Sequence, residues 1–198
     1  MDSAEVEKEL GMTYQELVGY LLEKYGPAKH DYFCNETCRS KNRKVTRSKE
    51  GLVCHHIDED KAILLSNPLY AVKNPFEYQK ASRLVYSNIL EHLLLHIKIV
   101  EDPRHECANP LELPGMGGAV NFIGPQINDY YDGFEYKRPY EKTMFAIIEN
   151  NFDDYIKMLK YFLKVPEKRP EYMGFITKER LSKTYVDQHI VSKVYNRL

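Results

Sequence analysis

Long apolar runs are missing from this chain. No stretch of its 198 residues approaches the roughly 18 consecutive apolar positions that a bilayer span needs. The opening MDSAEVEKEL is acidic, where a secretory leader is basic and then apolar. Cysteine is scarce as well: four residues in a chain of this length make no disulfide scaffold and suit a reducing interior. An excess of one charge is also missing, since Lys+Arg 28 against Asp+Glu 29 leaves a formal net charge of −1. A nucleic-acid role would therefore need a local basic patch rather than a polycationic molecule. No internal repeat is visible. Together these absences exclude a secreted miniprotein, a membrane protein and a repeat array, and predict a cytoplasmic chain with no membrane partner. What is present, 43% hydrophobic and 29% charged residues, is enough for a real core. The expectation is one domain over 1–198, with a C-terminal helical extension over 140–198.

Local signals place the elements. Thr13 with Glu16 has capping-box spacing, Leu17, Leu21 and Leu22 follow at helical spacing, and Gly26-Pro27 supplies a stop. Gly51 to Cys54 reads as a short strand entering His55-His56-Ile57, with Asp58-Glu59-Asp60 as the turn. Asn67-Pro68 and Asn74-Pro75 act as breakers in the connection that follows. Leu84-Val85-Tyr86 is a second extended piece. Asn88 with Glu91 repeats the capping signature before a helix from Ile89 to Val100 that is apolar almost all round. Residues 101–139, rich in Gly, Pro and Tyr, read as a long irregular loop. The series Phe145, Ile148, Phe152, Tyr155, Leu159, Phe162 predicts one long amphipathic helix ended by Pro166 and Pro170, and a last helix is expected over 178–195.

The chemistry is concentrated in histidine. His92 and His96 are four apart on a predicted helix, so both imidazoles lean over one face, one turn apart, in a chelating geometry. His55 and His56 are adjacent on a predicted strand, where successive side chains point to opposite faces. One of them can join the chelating pair while its neighbour faces elsewhere, free to take a proton. The competing interpretation is two core histidines satisfied by backbone carbonyls and a surface His pair. Against it stands the helix itself, otherwise Leu and Ile, where an unpartnered imidazole is costly.

The segments Leu52–Asp58 and Arg83–His96 resemble the two halves of an HNH nuclease motif, the His-Me or ββα-metal finger. The family pattern is an apolar strand ending in His-His and Ile-Asp, an Ω-like loop, a second strand, and a capped helix carrying His-x-x-x-His. The resemblance covers about 50–100 of this sequence. It implies an α+β fold in which a ββα-metal core sits in a mainly helical domain with a long irregular loop. It implies a metal-dependent endonuclease acting on DNA, with RNA a possible substrate. His55, His92 and His96 would hold one divalent metal ion, and His56 would be the general base. Three imidazoles suit Zn, Ni, Mn or Co better than Mg. The chain departs from the pattern at Arg83, where the family has an Asn that braces the catalytic His. Arg83 could face a phosphate instead, with Asn67, Asn74 or Ser82 as the brace.

Immediately before the first strand, Arg39 to Lys49 (RSKNRKVTRSK) carries six basic residues and no acid. Arg43, Lys44, Arg47 and Lys49 are the candidate phosphate contacts there. Cys34, Cys38, Cys54 and Cys107 permit a second, structural zinc, although the Cys-x3-Cys spacing argues for free thiols. Asp58 and Asp60 could serve a harder ion. Tyr130, Tyr131 and Tyr136 could stack on bases. With one copy of the motif, double-strand cleavage would need a homodimer or two successive nicks. Two further readings compete: a non-catalytic zinc-stabilised binding module, and an RNase built on the same finger.

Overall fold

The computed structural model describes residues 3–102, 112–186 and 192–198. It is mixed but mostly helical. Its helices of eight or more residues are α1 (Ser3–Leu10), α2 (Tyr14–Tyr25), α3 (Ile89–Glu101), α4 (Gly124–Tyr131), α5 (Pro139–Ala146) and α6 (Phe152–Phe162). Strands β1 (Val53–His56) and β2 (Leu84–Ser87) form one antiparallel pair, with His55 opposite Val85 and His56 opposite Leu84. No described helix is long and apolar enough to cross a membrane.

Both capping boxes form. In α2 the Glu16 amide donates to Thr13 Oγ1, and the Thr13 amide donates to the Glu16 carboxylate at 2.8 Å. In α3 the Glu91 amide donates to Asn88 Oδ1 at 3.0 Å, and the Asn88 amide donates to Glu91 Oε2 at 2.7 Å. These reciprocal bonds satisfy amides that a helix start otherwise leaves open. Helix α3 follows β2 directly and lies at the centre of the main core, with Leu90, Leu93, Leu94 and Leu95 fully buried. Around it pack α2, α6, both strands and the segment before α4.

Four elements differ from the sequence expectation. The Gly-rich part of 101–139 is helical: a π-helical segment, Gly117–Ile123, runs into α4. Met116, Ala119, Val120, Ile123 and Ile127 are buried at helical spacing, a period masked by the intervening glycines. Those glycines are required by proximity, since a Cβ on Gly115 would lie 2.5 Å from the His96 carbonyl oxygen, and one on Gly118 2.2 Å from His96 Nδ1. The single helix expected through 145–162 is two, α5 and α6, broken over 147–151. The break preserves the apolar period, because Ile148 stays buried and its carbonyl accepts from the Tyr131 hydroxyl and the Asn151 amide. The helix expected over 178–195 is a single α-helical turn, Lys178–Leu181, and a separate 3-10 segment, Lys193–Arg197. Between them the amides of Tyr185 and Val186 donate to the Asp129 carboxylate instead of continuing a helix, and 187–191 lie outside the described residues. Asn67-Pro68 also does not break structure: it starts a short helix, Pro68–Ala71, with Asn67 as its cap.

Candidate metal centre

Three elements converge on one point. β1 presents His55, the 3-10 turn Ile57–Asp60 that follows it presents Glu59, and α3 presents His92 and His96. One donor atom from each of the four lies within 4.8 Å of every other. The closest approaches are His55 Nδ1 to Glu59 Oε2 at 3.4 Å, His96 Nε2 to Glu59 Oε2 at 3.3 Å, and His92 Nε2 to His96 Nε2 at 3.3 Å. Ligands arranged tetrahedrally at 2.0–2.1 Å from an ion stand about 3.4 Å from one another, so these spacings suit a small divalent ion. The group can hold a metal ion.

The hydrogen bonding of His55 supports that assignment. The Tyr14 hydroxyl donates to the Ile57 carbonyl at 2.9 Å, so its oxygen can only accept from His55 Nε2, also at 2.9 Å. That fixes the tautomer with the proton on Nε2. His55 Nδ1 is left with its lone pair aimed into the cluster, buried and with no hydrogen-bond partner. A buried acceptor without a partner is costly, and coordination removes the cost.

Electrostatics point the same way. Burial, reinforced by the neighbouring imidazoles, holds His55 and His92 well below the usual histidine range, and burial lowers His96 to about 4 against a smaller opposing pull from the Gly115 backbone. Burial pushes Glu59 up to about 8. Burial thus works against charge on every one of the four donors. A divalent cation would favour the ionised carboxylate by direct attraction.

His56 occupies the other face of β1. Its ring sits 4.4 Å from that of Tyr32, and its Nε2 is 2.9 Å from Gln79 Oε1. Gln79 donates its own amide to the Leu65 carbonyl at 3.2 Å, which orients the oxygen toward His56. The imidazole therefore donates from Nε2 and leaves Nδ1, 4.0 Å from Glu59 Oε1 and beyond hydrogen-bond reach of it, without a proton. Burial lowers its pKa to about 4, so it is neutral around pH 7. His56, Glu59, His92 and His96 all line one cavity of about 930 Å³, whose wall also includes Phe122, Phe175 and Arg180.

Two of these contacts were not read from the sequence. The sequence reads Glu59 only as part of an acidic turn; its one signal is its place four residues after His55, on a tight turn leaving the strand. Gln79, fully buried, lies 23 residues from its partner, and nothing in the sequence marks it. Neither Asn67 nor Asn74 braces His56: Asn67 caps the Pro68 helix, and Asn74 donates to the Tyr70 carbonyl. Arg83 is held by Asp58, with Nε 2.6 Å from Oδ2, and does not line the cavity.

The other candidates separate as follows. Arg43, Lys44 and Lys49 are exposed, whereas Arg47 is tied to Glu50 and the Tyr25 carbonyl and lies over the Tyr86 ring. Cys34, Cys38 and Cys54 are free thiols that join no metal-holding group among the described residues, and Cys107 lies outside them. Asp58 is occupied by Arg83 and Lys61. Tyr131 is buried, and Tyr130 and Tyr136 stack on Phe145, so these rings serve packing. No protein-family model, no curated protein and no solved structure matches the chain.

Proposed function

We propose that the chain is a metal-dependent endonuclease of the His-Me finger type that hydrolyses DNA phosphodiester bonds. The observation that carries this reading is the division of labour on β1. His55 joins His92 and His96 as a donor cluster, while His56, on the opposite face, opens onto the same cavity with one ring nitrogen free. The order β1, turn, β2, α3 supports a ββα core over 50–100.

His55, His92, His96 and Glu59 would hold one divalent ion, whose chemistry is to polarise the scissile phosphate and stabilise the departing oxygen. His56 Nδ1 takes a proton from water as its oxygen attacks phosphorus, and the bond from phosphorus to the 3′ oxygen breaks. Gln79 fixes the ring orientation of His56. Arg83, through Asp58, steadies the turn that presents Glu59. The exposed Arg43, Lys44 and Lys49 supply sequence-blind attraction for phosphates.

One observation favours a second reading. Glu59 gives the cluster a fourth protein donor, and structural metal sites are closed in this way while catalytic ones keep a position open. A non-catalytic zinc-stabilised module would show a metal-dependent fold and no cleavage.

A plasmid-nicking assay with Mg, Mn, Ni, Co or Zn and a chelator control separates the two, with single-stranded RNA run in parallel. Metal-dependent nicking is expected, with His56→Ala lowering the rate by about 10²–10⁴-fold. Full activity in that variant would overturn the assigned mechanism. A folded protein inactive on both nucleic acids with every ion would leave the structural module.

A further inference from the structure

The cavity wall beyond the histidines is built from the C-terminal part of the chain. Phe122 and Phe175 line it with 45% and 40% of their surface exposed, and Arg180, also exposed, lies with its guanidinium 5.5 Å from the Phe175 ring centroid. Val120 and Asn121 are shared with a second, smaller cavity of about 180 Å³, lined by Lys183 and Tyr185. The two cavities are thus neighbours that share one wall. No ion pair forms at Arg180 or Lys183 among the described residues.

This edge is anchored from below by buried polar groups. Asn128, fully buried, donates to the Leu181 and Lys183 carbonyls at 2.9 and 2.6 Å. Asp129, 3% exposed, accepts from the Tyr185 and Val186 amides. The Thr177 hydroxyl caps the turn at the Arg180 amide. These bonds fix the backbone from Arg180 to Val186, which carries the exposed Arg180 and Lys183.

Composition then selects the ligand. Arg180 is the only Lys or Arg on the larger cavity's described wall, and a duplex neutralised at many phosphates needs more cations than that. Exposed aromatic rings beside single cations are instead what an unpaired strand needs: rings for its bases and charges for its phosphates. We infer that residues 175–185 and Phe122 form a binding track for a single-stranded nucleic-acid segment, which leads its backbone to the histidine cluster. Phe122 and Phe175 take bases, and Arg180 and Lys183 take phosphates. The inference rests on the phosphodiesterase reading for its polarity toward the metal centre, and its test reads binding alone.

The test is fluorescence anisotropy with a short labelled DNA strand, the same sequence as RNA, and the same DNA as a duplex. The metal-loaded protein is used, and the strand's integrity is checked on a denaturing gel. Either single strand is expected to bind more tightly than the duplex. Phe122→Ala and Phe175→Ala should each weaken single-strand binding by roughly 5- to 150-fold. Arg180→Ala should lower the salt-dependence slope by about one phosphate contact, with circular dichroism unchanged in all three. Preference for the duplex, absence of binding, or wild-type affinity in both Phe variants would overturn the track. Cleavage of plasmid with no role for these rings would defeat the track and leave the nuclease reading standing. Strand binding without any cleavage would do the reverse.

Discussion

The Tyr14 hydroxyl has one proton, and it goes to the Ile57 carbonyl. Gln79 likewise commits its amide to the Leu65 carbonyl. Each group then presents an oxygen to an imidazole, so His55 and His56 share a tautomer although they face opposite sides of the strand. For His55 the freed nitrogen is the buried atom of the group that could hold a metal; for His56 it is the proposed base. Gln79 is on this argument a positioning residue, and Gln79→Leu tests it. Outer partners of this kind typically carry about 10–100-fold in function. A loss of that size in kcat is expected, with metal affinity and KM unchanged, because Gln79 touches none of the four donors. An equal loss of metal affinity would mean the substitution collapses the site as a whole. Little of this was legible in the residue string. The His pair and His-x-x-x-His carry their own spacing, whereas Gln79 and Tyr14 reach the site only through tertiary contact.

At the scale of elements, the helix starts were the most legible feature, since Thr13 with Glu16 and Asn88 with Glu91 both close the boxes their spacing announces. The Gly-rich segment was the least legible. Gly115 and Gly118 serve close approach to His96 rather than chain flexibility, and that neighbour lies 19 and 22 residues back in the chain. A further consequence lies where α1, α2 and α3 meet. Glu9 on α1 is fully buried, neither of its carboxylate oxygens has a hydrogen-bond partner, and Lys24 is 3.9 Å away. Lys24 lies closer to Glu91, at 2.6 Å. Burial, with the Glu91 charge nearby, pushes Glu9 up to about 8. A carboxyl raised in the folded state favours folding below its ordinary pKa of 4.5, and that contribution is lost as pH climbs through about 8. Glu9→Gln removes the titration. The variant is expected to match wild type near pH 4.5 and to become progressively more stable than it up to pH 8, on the order of 3 kcal/mol. Thermal melts across that range check it. A constant difference, or destabilisation at high pH, would show that Glu9 is ionised and paired with Lys24.

The whole molecule is organised around α3, and that helix carries two of the four candidate metal donors, His96 buried and His92 half-buried where the helix faces the cavity. Its other faces are covered by α2, α6 and the π-helical segment, so the donor cluster links β1 and its turn to the centre of the core. An ion that binds the folded chain and not the unfolded one stabilises by mass action, about 2.7 kcal/mol at one hundred times its Kd. For a chain of this size that corresponds to roughly 5–10 °C in Tm. Zn or Ni should therefore raise the melting temperature of the chelator-stripped protein by that amount. His92→Ala should abolish the rise. Gly118→Ala is the complementary variant: it keeps all four donor residues and displaces one of them. Its methyl would stand 2.2 Å from His96 Nδ1, so the ring must move, and the metal-dependent rise should shrink while the cluster's chemistry is intact. A full rise in Gly118→Ala would mean that the π-helical segment yields to the methyl and that His96 is not held from that side. A full rise in His92→Ala would place the ion elsewhere and remove the basis for a metal centre on α3.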